Sequence, residues 1–126
     1  MLNLLAVLFV LHGGAHLVGF LGSWRLVENI PYKTTVLAGT YDVGDAGIRV
    51  AGVAWLAAAL AFMVAAVAIV ARWPWWPALS LVAVLASLLM CLVAWPEARL
   101  GAVLDIVFLA AMLHGLRFGW FELATR

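Results

Sequence analysis

Residues 2–23 read LNLLAVLFVLHGGAHLVGFLGS, and this apolar stretch decides the fold class of the chain. It is about as long as the ~20 mostly apolar residues that an α-helix needs to cross a membrane. Three further runs of this kind follow, at about 48–71, 75–95 and 98–119, and a longer polar loop occupies 24–47. None of the runs shows the alternating polarity of a membrane β-strand. The sequence therefore predicts an all-α, integral membrane four-helix bundle.

The composition supports the same prediction. Of the 126 residues, 68% are hydrophobic and 10% are charged, whereas soluble domains average roughly 45–50% apolar and about 25% charged residues. The four runs leave no room for a second domain, so we expect one transmembrane domain over residues 1–126. Four crossings of a cell membrane would leave both termini on the same side. The net charge of +1 gives no basic surface, so we expect the lipid bilayer and not nucleic acid as a partner.

Two histidines, His12 and His16, lie inside the first run. An ionisable residue within a membrane span is costly and is by default a candidate functional residue. Residues four apart share one face of a helix, and the small residues Ala15 and Gly19 lie on that face too. Small residues mark close helix packing in membranes. We therefore expect both imidazoles to point into the bundle.

Other polar residues should lie at the same depth as His16. At ~1.5 Å per residue, His16 lies about 10 Å inside the end of the first helix on the side of the 24–47 loop, which we call the loop side. The same count of residues from the ends of the other three helices places polar residues of each helix near the depth of His16. The predicted ligand-binding residues are His12, His16, Arg49, Ser87, Cys91 and Asp105.

The polar residues leave three functional hypotheses open. The first is an accessory or structural membrane subunit, in a larger complex or a homo-oligomer, in which Asp105 accepts a hydrogen bond from His16 and Arg49 compensates the charge. The second is the binding or acid–base transformation of a lipid-soluble small molecule such as a quinone, with His12, His16 and Asp105 as candidate catalytic residues. The third is a metal held by the same two histidines and Asp105. No HExxH motif accompanies the histidine pair, so the sequence assigns no metal ligands and no cofactor.

The 24–47 loop is the least regular part of the chain. It carries Asp42 and Asp45 in the sequence TYDVGDAG. Carboxylates close before an apolar helix are typical of turns and N-caps. We expect the two aspartates to have these roles at the start of the second helix, and the loop to cover the loop side.

The chain resembles a group of small bacterial four-helix membrane proteins. Their shared pattern has four parts, which here are Leu11–Phe20 (LHGGAHLVGF), Gly52–Ala57 (GVAWLA), Trp73–Trp76 and Trp95–Gly101 (WPEARLG). The group has no assigned reaction, so the resemblance implies the topology and places His12, Gly13 and His16 in a shared pattern. The architecture and loop placement are also similar to the DoxX-like proteins, some of which are linked to quinone-coupled oxidoreductase complexes. This second similarity is an analogy of fold.

Overall fold

Four α-helices form the structure, a computed structural model that describes residues 2–119. They are α1 (Leu2–Ser23), α2 (Gly44–Val70), α3 (Trp76–Val93) and α4 (Arg99–Arg117). All four are long and apolar enough to cross a membrane. The predicted all-α four-helix bundle is confirmed. Position 1 and positions 120–126 of the expected domain lie outside the described residues.

The helix bounds follow the apolar runs closely, with one longer extension. Helix α2 begins at Gly44, four positions before the expected start. The Asp42 carboxylate accepts a hydrogen bond from the Gly44 N–H at 3.0 Å, which forms the predicted turn. The predicted N-cap is wrong, because Val43 occupies that position and Asp45 lies in the first turn of the helix. A carboxylate there is favoured by the positive end of the helix dipole.

Small residues let the helices pack in the order α1, α2, α3, α4. The bare Cα of Gly13 fits against α2, since a Cβ on it would lie 2.7 Å from the Phe62 Cβ. Gly19 likewise accommodates the indole ring of Trp55. Each helix packs extensively on the next in the chain, whereas α1 and α4 approach each other at few points. The backbones of α1 and α4 are therefore less closely packed than those of consecutive helices, and side chains such as Phe9 and Phe108 make the contacts between them.

Many large apolar side chains remain on the outside of the bundle. Leu4, Leu60, Leu89 and Leu100, one from each helix, are all more than half exposed. A water-soluble protein rarely exposes apolar surface on this scale. Lipid covers such surface without cost, so the exposed side chains fit a multi-pass membrane protein.

The 24–47 loop covers the loop side with a small hairpin. Its strands are β1 (Thr35–Val36) and β2 (Tyr41–Asp42), paired antiparallel. The amides of Leu37 and Ala38 donate to the carbonyls of Val93 and Trp95, each at 2.8 Å. The hairpin thus satisfies acceptors at the end of α3 that have no partner within that helix. Leu37 and Ala38 adopt left-handed φ angles of 51° and 56°, a costly conformation that surrounding contacts must hold in place.

Candidate functional site

Four polar side chains from three helices meet in the interior of the bundle. They are His12 and His16 of α1, Ser87 of α3 and Asp105 of α4, and we call them the polar cluster. Ser87 and Asp105 are fully buried, and the two histidines are nearly so. The Ser87 Oγ lies 2.6 Å from the His16 Nε2 and 2.6 Å from the Asp105 Oδ2. The His12 Nε2 lies 2.9 Å from the Asp105 Oδ1.

These distances assign the direction of each hydrogen bond. Ser87 has one hydroxyl hydrogen, which it donates to Asp105. The short contact from His16 to the Ser87 oxygen therefore requires that the His16 Nε2–H donates. His12 donates its own Nε2–H to Asp105, with a longer contact of 3.3 Å to Ser87. Both imidazoles thus use Nε2 inside the cluster, and Nδ1 remains for other contacts.

The charge of Asp105 is balanced within the cluster. Among residues 2–119, the one ion-pair partner of this carboxylate is His12. An uncompensated carboxylate at this depth would be very costly. We therefore assign an imidazolium to His12 beside the Asp105 carboxylate, the neutral pair in which the His12 Nε2–H donates to that carboxylate. This pair leaves the cluster without net charge.

Arg49, which was expected to compensate this charge, does not join the cluster. Its side chain is exposed, and its guanidinium lies 5.8 Å from the centre of the Trp24 ring. The Trp24 indole also donates to the Arg49 carbonyl. A long side chain near a helix end can extend to the membrane surface, and Arg49 does so here.

Aromatic rings hold the two imidazoles in position. Phe62 meets both histidine rings edge-on, with centroids 5.0 Å from His12 and 5.6 Å from His16. Trp55 lies 5.1 Å from His16, and Phe108 lies 5.6 Å from His12. Edge-on aromatic pairs have preferred geometries. The imidazoles are therefore fixed by packing as well as by hydrogen bonds.

A cavity of about 540 Å³ lies beside the polar cluster on the loop side. Its volume is within the range of small-molecule sites, roughly 300–1,000 Å³. The wall is mostly apolar, and the lining residues nearest the polar cluster are His12, His16 and Cys91. The Cys91 thiol packs against Gly101, where a Cβ would lie 2.7 Å from the sulfur. Ser87 and Asp105 do not line the cavity but support the histidines from behind.

Charged side chains lie at the loop end of this cavity. Lys33 forms an ion pair with Glu97 at 2.5 Å, joining the 24–47 loop to the α3–α4 turn. The Lys33 ammonium holds the pKa of the Glu97 carboxyl below its usual value. Tyr32 donates its hydroxyl to Asp45, and this hydrogen bond raises the pKa of the phenol. Both contacts fix the loop above the cavity.

The sequence predicted all four residues of the polar cluster but few of the other residues that line the cavity. His12, His16, Ser87 and Asp105 meet, and Cys91 lies close by in the cavity wall. The contacts of Phe62 and Trp55 with the histidines were not predicted, although Trp55 falls within the GVAWLA pattern. The sequence puts Gly101 on the same face of α4 as Asp105, four residues earlier, although Gly101 was not among the predicted ligand-binding residues. No helical spacing in the sequence pointed to Tyr32, Lys33 or Glu97, which lie in the loop and the α3–α4 turn.

Within residues 2–119, no group of three or more His, Cys, Asp or Glu side chains is placed to hold a metal ion. The Nε2 atoms of His12 and His16 are directed at Asp105 and Ser87. The geometry therefore gives the metal hypothesis no support.

Comparisons of the chain with protein-family models, with curated protein sequences and with solved structures gave no match. The function is therefore argued from the site itself.

Proposed function

We propose that the protein binds an uncharged, lipid-soluble small molecule in the cavity beside the polar cluster. The observation that carries this proposal is the position of His12 and His16, which belong to a buried hydrogen-bonded network and also line an apolar cavity. Apolar pockets with a few fixed polar groups are the usual form of small-molecule sites.

The hydrogen-bond assignment indicates what the ligand must offer. With both Nε2 atoms engaged, a ligand oxygen would meet Nδ1 of either ring. The neutral His16, whose Nε2 carries the hydrogen, accepts at Nδ1, whereas the His12 imidazolium donates there. Carbonyl or hydroxyl oxygens satisfy such a pair, and quinones and quinols carry them. The Nδ1–H of the His12 imidazolium would also supply a general acid, and the Nδ1 of His16 a general base.

The cavity favours this hypothesis over the accessory subunit that the sequence placed first. A purely structural network gains nothing from leaving its histidines on the wall of a cavity. An accessory role in a larger complex or a homo-oligomer remains the alternative, and so does the predicted membership of the small bacterial or DoxX-like groups. We further propose a location in the cell membrane with both termini on the same side.

The test is binding of decylubiquinone to the protein in lipid nanodiscs, measured by native mass spectrometry. We expect the native protein to bind one molecule, and His12→Ala and Asp105→Asn to weaken binding at least about tenfold, since the first removes a ring that lines the cavity and the second removes the carboxylate charge that holds that ring. His114→Ala is the matched control, because His114 is exposed near the opposite end of the bundle.

Two results would contradict the proposal. One is equal binding by the native protein and His12→Ala, with both proteins folded by circular dichroism. The other is no binding by the native protein, and co-purification of another polypeptide would then favour the accessory subunit.

A further inference from the structure

The cavity beside the polar cluster opens sideways, between α1 and α4. Several residues that line it are also well exposed on the outside of the bundle: Val18 of α1 is 53% exposed, and Leu100 and Leu104 of α4 are 75% and 47% exposed. A residue that both lines a cavity and faces outward marks the edge of an opening. We call the gap between Val18 and these two leucines the side opening.

The side opening lies at the depth of the lipid. Val18 and Leu104 are each five residues from the loop-side end of their helix, which places them about 7–8 Å inside it at ~1.5 Å per residue. The side chains at its edges are aliphatic. The backbones of α1 and α4 also make few close approaches, which leaves room for the cavity to open between these side chains.

The loop end of the cavity is covered by the 24–47 loop. Residues 30–33 and 35–36 line the cavity there. The Lys33–Glu97 ion pair and the hydrogen bond from the Leu37 amide to the Val93 carbonyl fasten this cover to the end of α3 and the turn after it. The easier route for an apolar molecule is therefore through the side opening.

The charges of the site restrict the head of the ligand. The polar cluster has no net charge to offer an anion, and the charged side chains that line the cavity, Lys33 and Glu97, are paired with each other. A phosphate or carboxylate head would enter without a free counter-charge, at a large desolvation cost. The head must be uncharged and bear oxygen.

We propose, building on the function proposed above, that the ligand is an amphiphile with an apolar tail and that it enters from the bilayer. Its uncharged, oxygen-bearing head lies against His12 and His16. Its apolar tail leaves through the side opening and lies between α1 and α4, next to Val18 and Leu104. The tail therefore contributes to binding at one defined place on the protein surface.

The test compares decylubiquinone with the same benzoquinone ring without a tail, in nanodiscs and by native mass spectrometry. The variants Val18→Trp and Leu104→Trp narrow the side opening. Leu17→Trp and Val103→Trp are their controls, since these neighbours are exposed but do not line the cavity. We expect the first pair to weaken decylubiquinone binding at least about tenfold, because several tail methylenes lose their burial. We expect less than about threefold weakening for the tailless ring, and little change for either control.

The outcomes separate this inference from the proposed function. If the native protein binds decylubiquinone and the four tryptophan variants bind it equally well, the side opening is refuted and the site stands. If both ligands are weakened equally at Val18→Trp and Leu104→Trp, the tail does not occupy the opening, which also refutes the inference. If neither ligand binds the native protein, the proposed function fails and this inference fails with it.

Discussion

Ser87 connects the polar cluster, because it accepts from His16 and donates to Asp105 with one hydroxyl. Removing that hydroxyl leaves the His16 Nε2–H without an acceptor and the Asp105 Oδ2 without its donor. Ser80 lies two turns earlier on the same helix, is equally buried, and has no hydrogen-bond partner among the described residues. Substituting each serine therefore distinguishes the free energy contributed by the hydrogen-bonded network from the free energy of burying a serine hydroxyl.

We predict that Ser87→Ala lowers the free energy of unfolding by about 1–3 kcal/mol, the cost of leaving buried polar groups unpaired. Ser80→Ala should be neutral or stabilising, because it removes a buried hydroxyl that forms no bond. Unfolding in mixed micelles with increasing sodium dodecyl sulfate, followed by circular dichroism, measures both. Equal destabilisation by the two substitutions would show that the network contributes nothing.

The residues that could be predicted from sequence are those whose positions depend on the helix alone. The fixed rise of an α-helix sets the depth of His16 and Asp105, so simple counting brought them together. Arg49 could not be placed in this way, because four rotatable bonds let its side chain reach the surface and Trp24. Lys33 and Glu97 meet across a loop, where no periodicity applies.

At the scale of the helices, close approach depends on particular glycines. Gly13 and Gly14 are neighbours on α1 but face different surroundings. A Cβ on Gly13 would lie 2.7 Å from the Phe62 Cβ and 3.2 Å from the Ala59 carbonyl oxygen, whereas a Cβ on Gly14 would meet nothing within 4 Å. Only the first glycine is required by the packing of α1 on α2.

We predict that Gly13→Ala destabilises the protein by about 1–3 kcal/mol, the usual cost of overpacking a well-filled interface. Gly14→Ala should be neutral or stabilise by up to about 1 kcal/mol, since alanine favours the helix. Thermal unfolding in one detergent gives the comparison. A destabilisation by Gly14→Ala that matched Gly13→Ala would contradict the packing described here.

The loop that covers the cavity should loosen in acid. The pKa of Glu97 is lowered in the folded protein by Lys33. Its stabilising contribution is therefore complete above the ordinary pKa of a glutamate and is lost as the pH falls through the lowered value. We predict that the amide protection of Leu37 and Ala38, measured by hydrogen exchange and corrected for intrinsic rates, falls over that acid range.

Glu97→Gln should abolish this pH dependence and leave the amides weakly protected at neutral pH. Glu28→Gln is the control, since Glu28 is an exposed glutamate of the same loop. Protection that falls in the same way in Glu97→Gln would show that another group controls the loop.

The helices could be predicted from sequence because long apolar runs leave few alternatives, and each bound fell within about four residues, as such boundaries usually do. The hairpin could not be predicted. Its strands have two residues each, which is too short for an alternating pattern. Leu37 and Ala38 adopt left-handed φ angles that neither residue type signals.

At the scale of the whole molecule, four crossings lead to a simple topological prediction. Reporter domains fused to either end should report the same compartment, because an even number of spans returns the chain to its starting side. Paired alkaline phosphatase and green fluorescent protein fusions measure this. Opposite results at the two ends would mean that one of the four helices does not cross the membrane.

The central claim is that His12 and His16 face a ligand in the cavity. The chain has 3 histidines, and the third, His114, is exposed near the other end of the bundle. The most direct measurement is nitrogen-15 NMR of the histidine rings, in protein labelled at histidine and held in nanodiscs, before and after decylubiquinone is added. We predict that the ring signals of His12 and His16 shift and that those of His114 do not. Bound decylubiquinone that shifts neither His12 nor His16 would contradict the account.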